Sequence, residues 1–120
     1  MTKILVADDE GKIRDLLKTF LEKKGFEVVQ CRDGAEALEI LKKDSTIDLL
    51  MTDNNMPNLT GMEVAKELRE SKNYMPIILC SGSLGSWNEI PGIDVVLLKP
   101  INLGEVLDNI RVLLQKKCDR

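Results

Sequence analysis

The residues of this 120-residue chain that could do chemistry are acids, one lysine and one hydroxyl, and each stands just after an apolar run. Asp8, Asp9 and Glu10 follow Ile4-Leu5-Val6-Ala7. Asp53 follows Leu49-Leu50-Met51-Thr52 and precedes Asn54-Asn55-Met56-Pro57. Ser81 follows Ile77-Ile78-Leu79-Cys80, and Lys99-Pro100 follows Val95-Val96-Leu97-Leu98. The chain has no histidine, so it has neither a histidine base nor a histidine metal ligand, and it cannot donate phosphoryl from a histidine of its own. A carboxylate can act as a nucleophile and form an acyl phosphate. Several carboxylates brought together repel one another and cannot all stay ionised unaided. A divalent cation resolves that repulsion, and an all-oxygen site that must also hold a phosphoryl group favours Mg2+.

Whether these groups meet depends on the elements that carry them. Four of the five apolar runs are continuous rather than alternating, the pattern of strands buried on both faces of a parallel sheet; Val28-Val29 is the short fifth. Helical patterns lie between them. Ile13, Leu16, Leu17, Phe20 and Leu21 form one stripe, ended by Lys23-Lys24-Gly25. Asp33-Gly34-Ala35-Glu36 and Thr60-Gly61-Met62-Glu63 read as capped helix starts, the second a full capping box. The last helix starts at Asn102 with a stripe of Leu103, Val106, Leu107, Ile110, Leu113 and Leu114. The stretch 82–92 holds three glycines and a proline, so the fourth helix is expected to be short and weak, around Leu84 to Ile90.

Strands alternating with helices imply right-handed βαβ units and an α/β, flavodoxin-like, doubly wound sheet of five parallel strands in the order 2-1-3-4-5. Sites in such folds lie at the carboxyl ends of the strands. Strand three is then central, with strands one and four roughly 4.8 Å to either side. Asp8, Asp9 and Asp53 converge, and Lys99 arrives as a point charge from strand five. Neutralising Asp53 is accordingly expected to stabilise the metal-free fold.

Composition narrows the function classes. A net charge of −3 and a pI of about 5.0 give no basic surface for nucleic acid. No apolar run approaches a membrane span, and the one at the start is too short for a secretory signal, so a cytoplasmic location is expected. Cys31, Cys80 and Cys118 match no metal-binding spacing; the first two read as small buried hydrophobes.

At these residues the chain resembles response-regulator receiver domains of two-component signalling. The resemblance runs over about residues 2 to 117, so that 1–120 reads as a single receiver domain. It rests on Val6-Ala7-Asp8-Asp9-Glu10, Met51-Thr52-Asp53-Asn54-Asn55-Met56-Pro57, Gly61, Ser81-Gly82 and Leu98-Lys99-Pro100. It implies that Asp53 accepts a phosphoryl group from a phosphohistidine on a partner kinase or phosphotransfer protein. It further implies that Asp9, Asp53 and the Asn55 carbonyl ligate Mg2+, with Asp8 acting through water. Lys99 and Ser81 would each contact a phosphoryl oxygen, and Pro100 would follow a cis peptide bond. Asn55 and Ser83 would tune loss of the phosphoryl group to water. The family's chemistry is self-phosphorylation and slow self-hydrolysis, which implies no independent enzyme. Its output is a switched protein-interaction surface, with no direct nucleic-acid or membrane contact.

Two departures bear on that output. Val96 stands where the family often has Tyr or Phe, and the stretch from Ser81 to Lys99 is a few residues shorter than usual. The output surface is therefore expected to lie elsewhere than the usual fourth helix, or to form when 82–93 becomes ordered. Three rivals compete. A receiver that binds partners without being phosphorylated is disfavoured by the intact acids, Ser81 and Lys99. A metal-dependent phosphohydrolase would need a second acid where Asn55 stands. A flavodoxin would need a hydroxyl-rich loop where Asp8 and Asp9 stand.

Overall fold

The computed structural model describes residues 1–82 and 92–118. Its elements are β1 (Lys3–Ala7), α1 (Gly11–Lys23), β2 (Glu27–Cys31), α2 (Gly34–Lys43), β3 (Leu49–Asp53), α3 (Gly61–Glu70), β4 (Ile77–Ser81), β5 (Val95–Leu98) and α4 (Leu103–Cys118). The strands form one parallel sheet in the order β2-β1-β3-β4-β5, as the alternation of runs and stripes predicts. The short helix expected around Leu84 to Ile90, with Ser83 and Trp87, lies outside the described residues; four helices lie within them.

Continuous apolar runs are explained by two covered faces. Leu5, Ala7, Leu50 and Ile77 pack with Ala37, Leu38, Leu41, Val64, Ala65 and Leu68 of α2 and α3. Their neighbours along the strands, Ile4, Val6, Leu49, Met51, Ile78 and Cys80, pack with Leu17, Leu21, Val106, Ile110 and Leu113 of α1 and α4. Successive side chains point to opposite faces, so a strand covered on both sides must be apolar throughout. Every residue of β3 and β4 is buried. Each fully buried Leu or Ile contributes about 2 kcal/mol of transfer free energy.

The helix starts follow their sequence signals. Thr60 and Glu63 form the complete capping box, with Glu63 N–H donating to Thr60 Oγ1 (3.1 Å) and Thr60 N–H to Glu63 Oε1 (3.0 Å). Asp33 Oδ1 accepts from Glu36 N–H at 2.8 Å, and Asn102 Oδ1 from Glu105 N–H at 3.0 Å. Helix α1 ends where Gly25 takes a φ of +94°, with Phe26 N–H returning to the Leu21 carbonyl. One expectation fails: Leu16, placed on the α1 stripe, is 51% exposed. The seam of Ile13, Leu17, Phe20 and Leu21 already faces the sheet, and Leu16 falls on its solvent flank.

Register carries the candidate residues to one edge. Ala7 pairs with Thr52, Asp53 with Cys80, and Ser81 with Leu98. Asp8 and Asp53 therefore end up level, with Ser81 one position and Lys99 two positions further along, so that four of the five strands deliver a residue to this edge.

Candidate functional site

The site starts with the backbone that aims each side chain. Strand β1 ends at Ala7, and Asp8 N–H donates to the Cys31 carbonyl (3.2 Å), which extends the β1–β2 ladder by one residue. Asp8 is 3% exposed, and its Oδ1 accepts from Glu10 N–H at 2.9 Å. That hydrogen bond is the helix-start role open to an aspartate here. It leaves Oδ2 facing the other acids. Glu10 is the residue that caps α1, and its own side chain makes no capping bond. Asp9 is exposed at the rim.

Asp53 ends β3 and is 3% exposed. Asn54 N–H donates to the Cys80 carbonyl at 3.0 Å, continuing the ladder beneath it. Asn54 Oδ1 accepts from Met62 N–H at 3.3 Å, which ties the loop base to α3. Gly61 lies directly behind the acid: a Cβ there would meet the Asp53 carbonyl oxygen and Leu79 Cδ1, both at 2.6 Å. Only a glycine lets α3 start this close to the strand. Thr52 points to the other face of the sheet, but its hydroxyl donates to the Asp53 carbonyl at 2.9 Å, a contact its position in the sequence did not suggest.

The carboxylates of Asp8, Asp9 and Asp53 come together, each offering an oxygen within 4.8 Å of the others. Lys99 Nζ lies 3.1 Å from Asp53 Oδ2 and 3.8 Å from Asp8 Oδ2. Lys99 N–H donates to the Ser81 carbonyl at 2.8 Å, and the Lys99–Pro100 peptide is cis. Ser81 is buried beside Asp53 on the adjacent strand. Asn55 is exposed, and its N–H points at Asp53 Oδ1 from 3.4 Å. The structure thus brings together Asp8, Asp9, Asp53 and Lys99, with Ser81 and the Asn55 backbone next to Asp53. Ser83 lies outside the described residues.

Electrostatics follow from this crowding. Burial pushes the Asp8 carboxyl above its ordinary value, and the charges of Asp53 and Asp9 add to the rise; the Glu10 N–H and Lys99 oppose it. For Lys99, burial pulls the ammonium down, but the hydrogen bond to Asp53 and the charges of Asp8, Asp53 and Glu10 outweigh it, and the net shift is upward. Three carboxylates gather and one ammonium pairs with two of them, a deficit of positive charge that a divalent cation would correct. The donors are all oxygen, the set that suits Mg2+. Glu10, read in the sequence as one of the strand-end acids but given no role, acts on Lys99 through its charge; Arg14, whose guanidinium donates to the Asp8 carbonyl from one turn into α1, was missed. Arg14 lies off the apolar stripe at a spacing that any solvated residue could have. Burial pushes the Cys80 thiol up to about 12, so it stays protonated beside the site.

Known proteins are similar to this chain in sequence and fold. The family model for the response regulator receiver domain matches residues 4–111. The transcriptional regulatory protein CpxR of Escherichia coli is 35% identical over 120 residues, 97% of this chain and 50% of that protein. The chain spans about half the length of the curated relatives it matches. Among solved structures, a response regulator receiver domain protein from Clostridium thermocellum superposes with a TM-score of 0.90 at 31% identity, covering 98% of this chain and 97% of that one. The response regulator TrrA of Thermotoga maritima, solved in complex with Mg2+-BeF, gives a TM-score of 0.86 at 35% identity over 94% of this chain and 99% of its own.

Proposed function

The chain belongs to the response regulator receiver domain family, and from that premise we propose that Asp53 accepts a phosphoryl group from a phosphohistidine on a partner histidine kinase or phosphotransfer protein. The observation that carries this reading is the placement of Asp53: buried, at a strand end, 3.1 Å from one ammonium and within 4.8 Å of two further acids. An oxygen of the Asp53 carboxylate forms the new bond to phosphorus while the phosphorus–nitrogen bond to the donor imidazole breaks, and the electron pair leaves with that nitrogen.

Asp8, Asp9, Asp53 and the Asn55 carbonyl would hold Mg2+, which supplies neutralisation of the gathered carboxylates and of the incoming phosphoryl oxygens. Lys99 would neutralise one phosphoryl oxygen and Ser81 would donate to another, charge compensation that needs no reorganisation at the moment of transfer. Asn55, exposed beside Asp53, is placed where it would govern the approach of water to the acyl phosphate. The chain is then an acceptor that slowly loses its phosphoryl group, not an independent enzyme. The switched surface would meet an output protein within the cytoplasm, and no described helix is long and apolar enough to cross a membrane.

Intact-mass spectrometry after incubation with acetyl phosphate or phosphoramidate, with and without Mg2+, tests the reading. The wild type should gain one phosphoryl group only with Mg2+, and Asp53→Asn should gain none. If neither donor adds mass although Mg2+ binds, the better description is a partner-binding module that is not phosphorylated.

A further inference from the structure

The loop from Asn54 to Thr60 carries Asn55 past the acids, and its two ends are held differently. At the base, Asn54 is fixed to β4 and α3 by three hydrogen bonds: its N–H to Cys80, its carbonyl from Gly61 N–H at 3.3 Å, and its Oδ1 from Met62 N–H. At the tip the contact is with a different element. Asn58 Nδ2 donates to Asp33 Oδ2 at 3.0 Å, across 25 residues of sequence. Beneath it the backbone of Leu59 is pressed on α2, where a Cβ on Gly34 would meet the Leu59 carbonyl oxygen at 2.3 Å.

Three features set this contact apart from an incidental surface hydrogen bond. Asn58 has a left-handed backbone (φ +70°), which glycine adopts at least cost; asparagine also tolerates it and adds the amide that is used here. Asp33 has two separate duties: Oδ1 caps α2 through Glu36 N–H, and Oδ2 receives Asn58. The corner that holds Asp33 also receives Asp8, whose N–H donates to the Cys31 carbonyl. The β2–α2 corner thus touches both halves of the acidic site, Asp8 directly and the loop of Asn55 through Asn58.

We propose that Asp33 and Asn58 are positioning residues, a latch that fixes the β3–α3 loop against α2 and thereby sets the affinity of the Asp8–Asp9–Asp53 site for a divalent cation. The inference rests on the function proposed above. Neither residue touches the metal or the phosphoryl group. Each acts through the backbone at Asn55, the part of the expected ligand set that the β3–α3 loop carries.

The test is calorimetric titration with Mg2+ at a temperature where every variant is folded. Asn58→Gly keeps the left-handed turn and removes the amide; Asp33→Ser keeps a capping oxygen and removes the one that receives Asn58. Each should weaken Mg2+ binding by about threefold to tenfold, at or below the lower end of what outer partners of metal ligands contribute. The two together should weaken it no more than the stronger single change, since both break the same contact. Exchanging the residue types, Asp33→Asn with Asn58→Asp, rebuilds an amide–carboxylate pair at unchanged net charge and should restore the affinity, which a general loosening of the fold would not. Single variants within twofold of wild type, or an exchange that fails to restore binding, overturn the latch while leaving the function intact. A wild type that binds no Mg2+ at all overturns both.

Discussion

At the amino end of the sheet, Lys3 Nζ lies 2.6 Å from Asp44 Oδ2 and 3.5 Å from Glu27 Oε2, while Lys3 N–H donates to Asp48 Oδ2 at 2.9 Å. Nearby, Arg69 donates to the carbonyls of Asn73 (2.9 Å), Met75 (2.8 Å) and Gly92 (2.6 Å) and pairs with Asp94 Oδ2 at 3.2 Å; the same oxygen receives Ile77 N–H. The acids of the amino end are thus spread over two cations, Lys3 and Arg69, and the backbone N–H groups of Lys3, Thr46 and Ile77. At the carboxyl end, three carboxylates gather within 4.8 Å and Lys99 pairs with two of them, Asp8 and Asp53. Structural charges are completed within the chain. A charge deficit held in place by a rigid sheet is a feature that calls for something from outside.

If that contrast is right, the largest effect belongs to the matched end. Arg69→Met removes the cation that three carbonyls and the Asp94 carboxylate share, and should lower unfolding free energy by about 2–3 kcal/mol in urea titration. A loss below 0.5 kcal/mol would show that this end is not held by its polar network. The next effect has the opposite sign. Asp8→Asn removes a poorly solvated charge and retains an oxygen for the Glu10 N–H, so metal-free stability should rise by about 1 kcal/mol while Mg2+ binding falls. For Asp53→Asn a smaller gain is expected, because Lys99 lies 3.1 Å from that carboxylate. A metal-free melting temperature that drops for Asp8→Asn would contradict the charge deficit.

A pH series separates the amino end from the rest. The hydrogen bond from Lys3, and then those from the Thr46 hydroxyl and N–H, hold the Asp44 carboxyl down at about 2. Its folded value lies below its unfolded one, so this contribution is complete above the ordinary carboxylate value of 3.8 and is lost as pH falls through about 2. Lys3→Met should flatten that part of the acid limb when urea midpoints are measured from pH 5 downward. The smallest effect is a control: Lys43→Gln breaks the exposed pair with Glu39 at 3.0 Å and should change stability by less than about 0.5 kcal/mol. A larger change would mean that counting charges, rather than burying and completing them, explains the amino end.

What the sequence disclosed follows from the range of the interactions involved. Strand order, the α3 capping box, the Asp33 cap and the residues at the strand ends are legible because periodicity and turn chemistry are local. The helix stripes are legible too, except at Leu16, where the pattern does not say which edge of the seam meets the sheet. Arg69–Asp94, Lys3–Asp44 and Asn58–Asp33 are not legible. Each joins residues 25 or more positions apart, and each partner alone looks like an ordinary solvated side chain. The Arg14 contact with Asp8 is close in sequence but depends on how α1 leaves the sheet, which no spacing encodes.

Gly61 has a further consequence, for descent rather than for chemistry. Every amino-acid change reachable from a glycine codon in one step adds a Cβ, and at this position a Cβ would fall 2.6 Å from the carbonyl oxygen of Asp53 and from Leu79 Cδ1. Drift at position 61 therefore has no neutral first step. A lineage that keeps α3 this close to the strand inherits the same residue behind the acid, whatever it does with the acid itself.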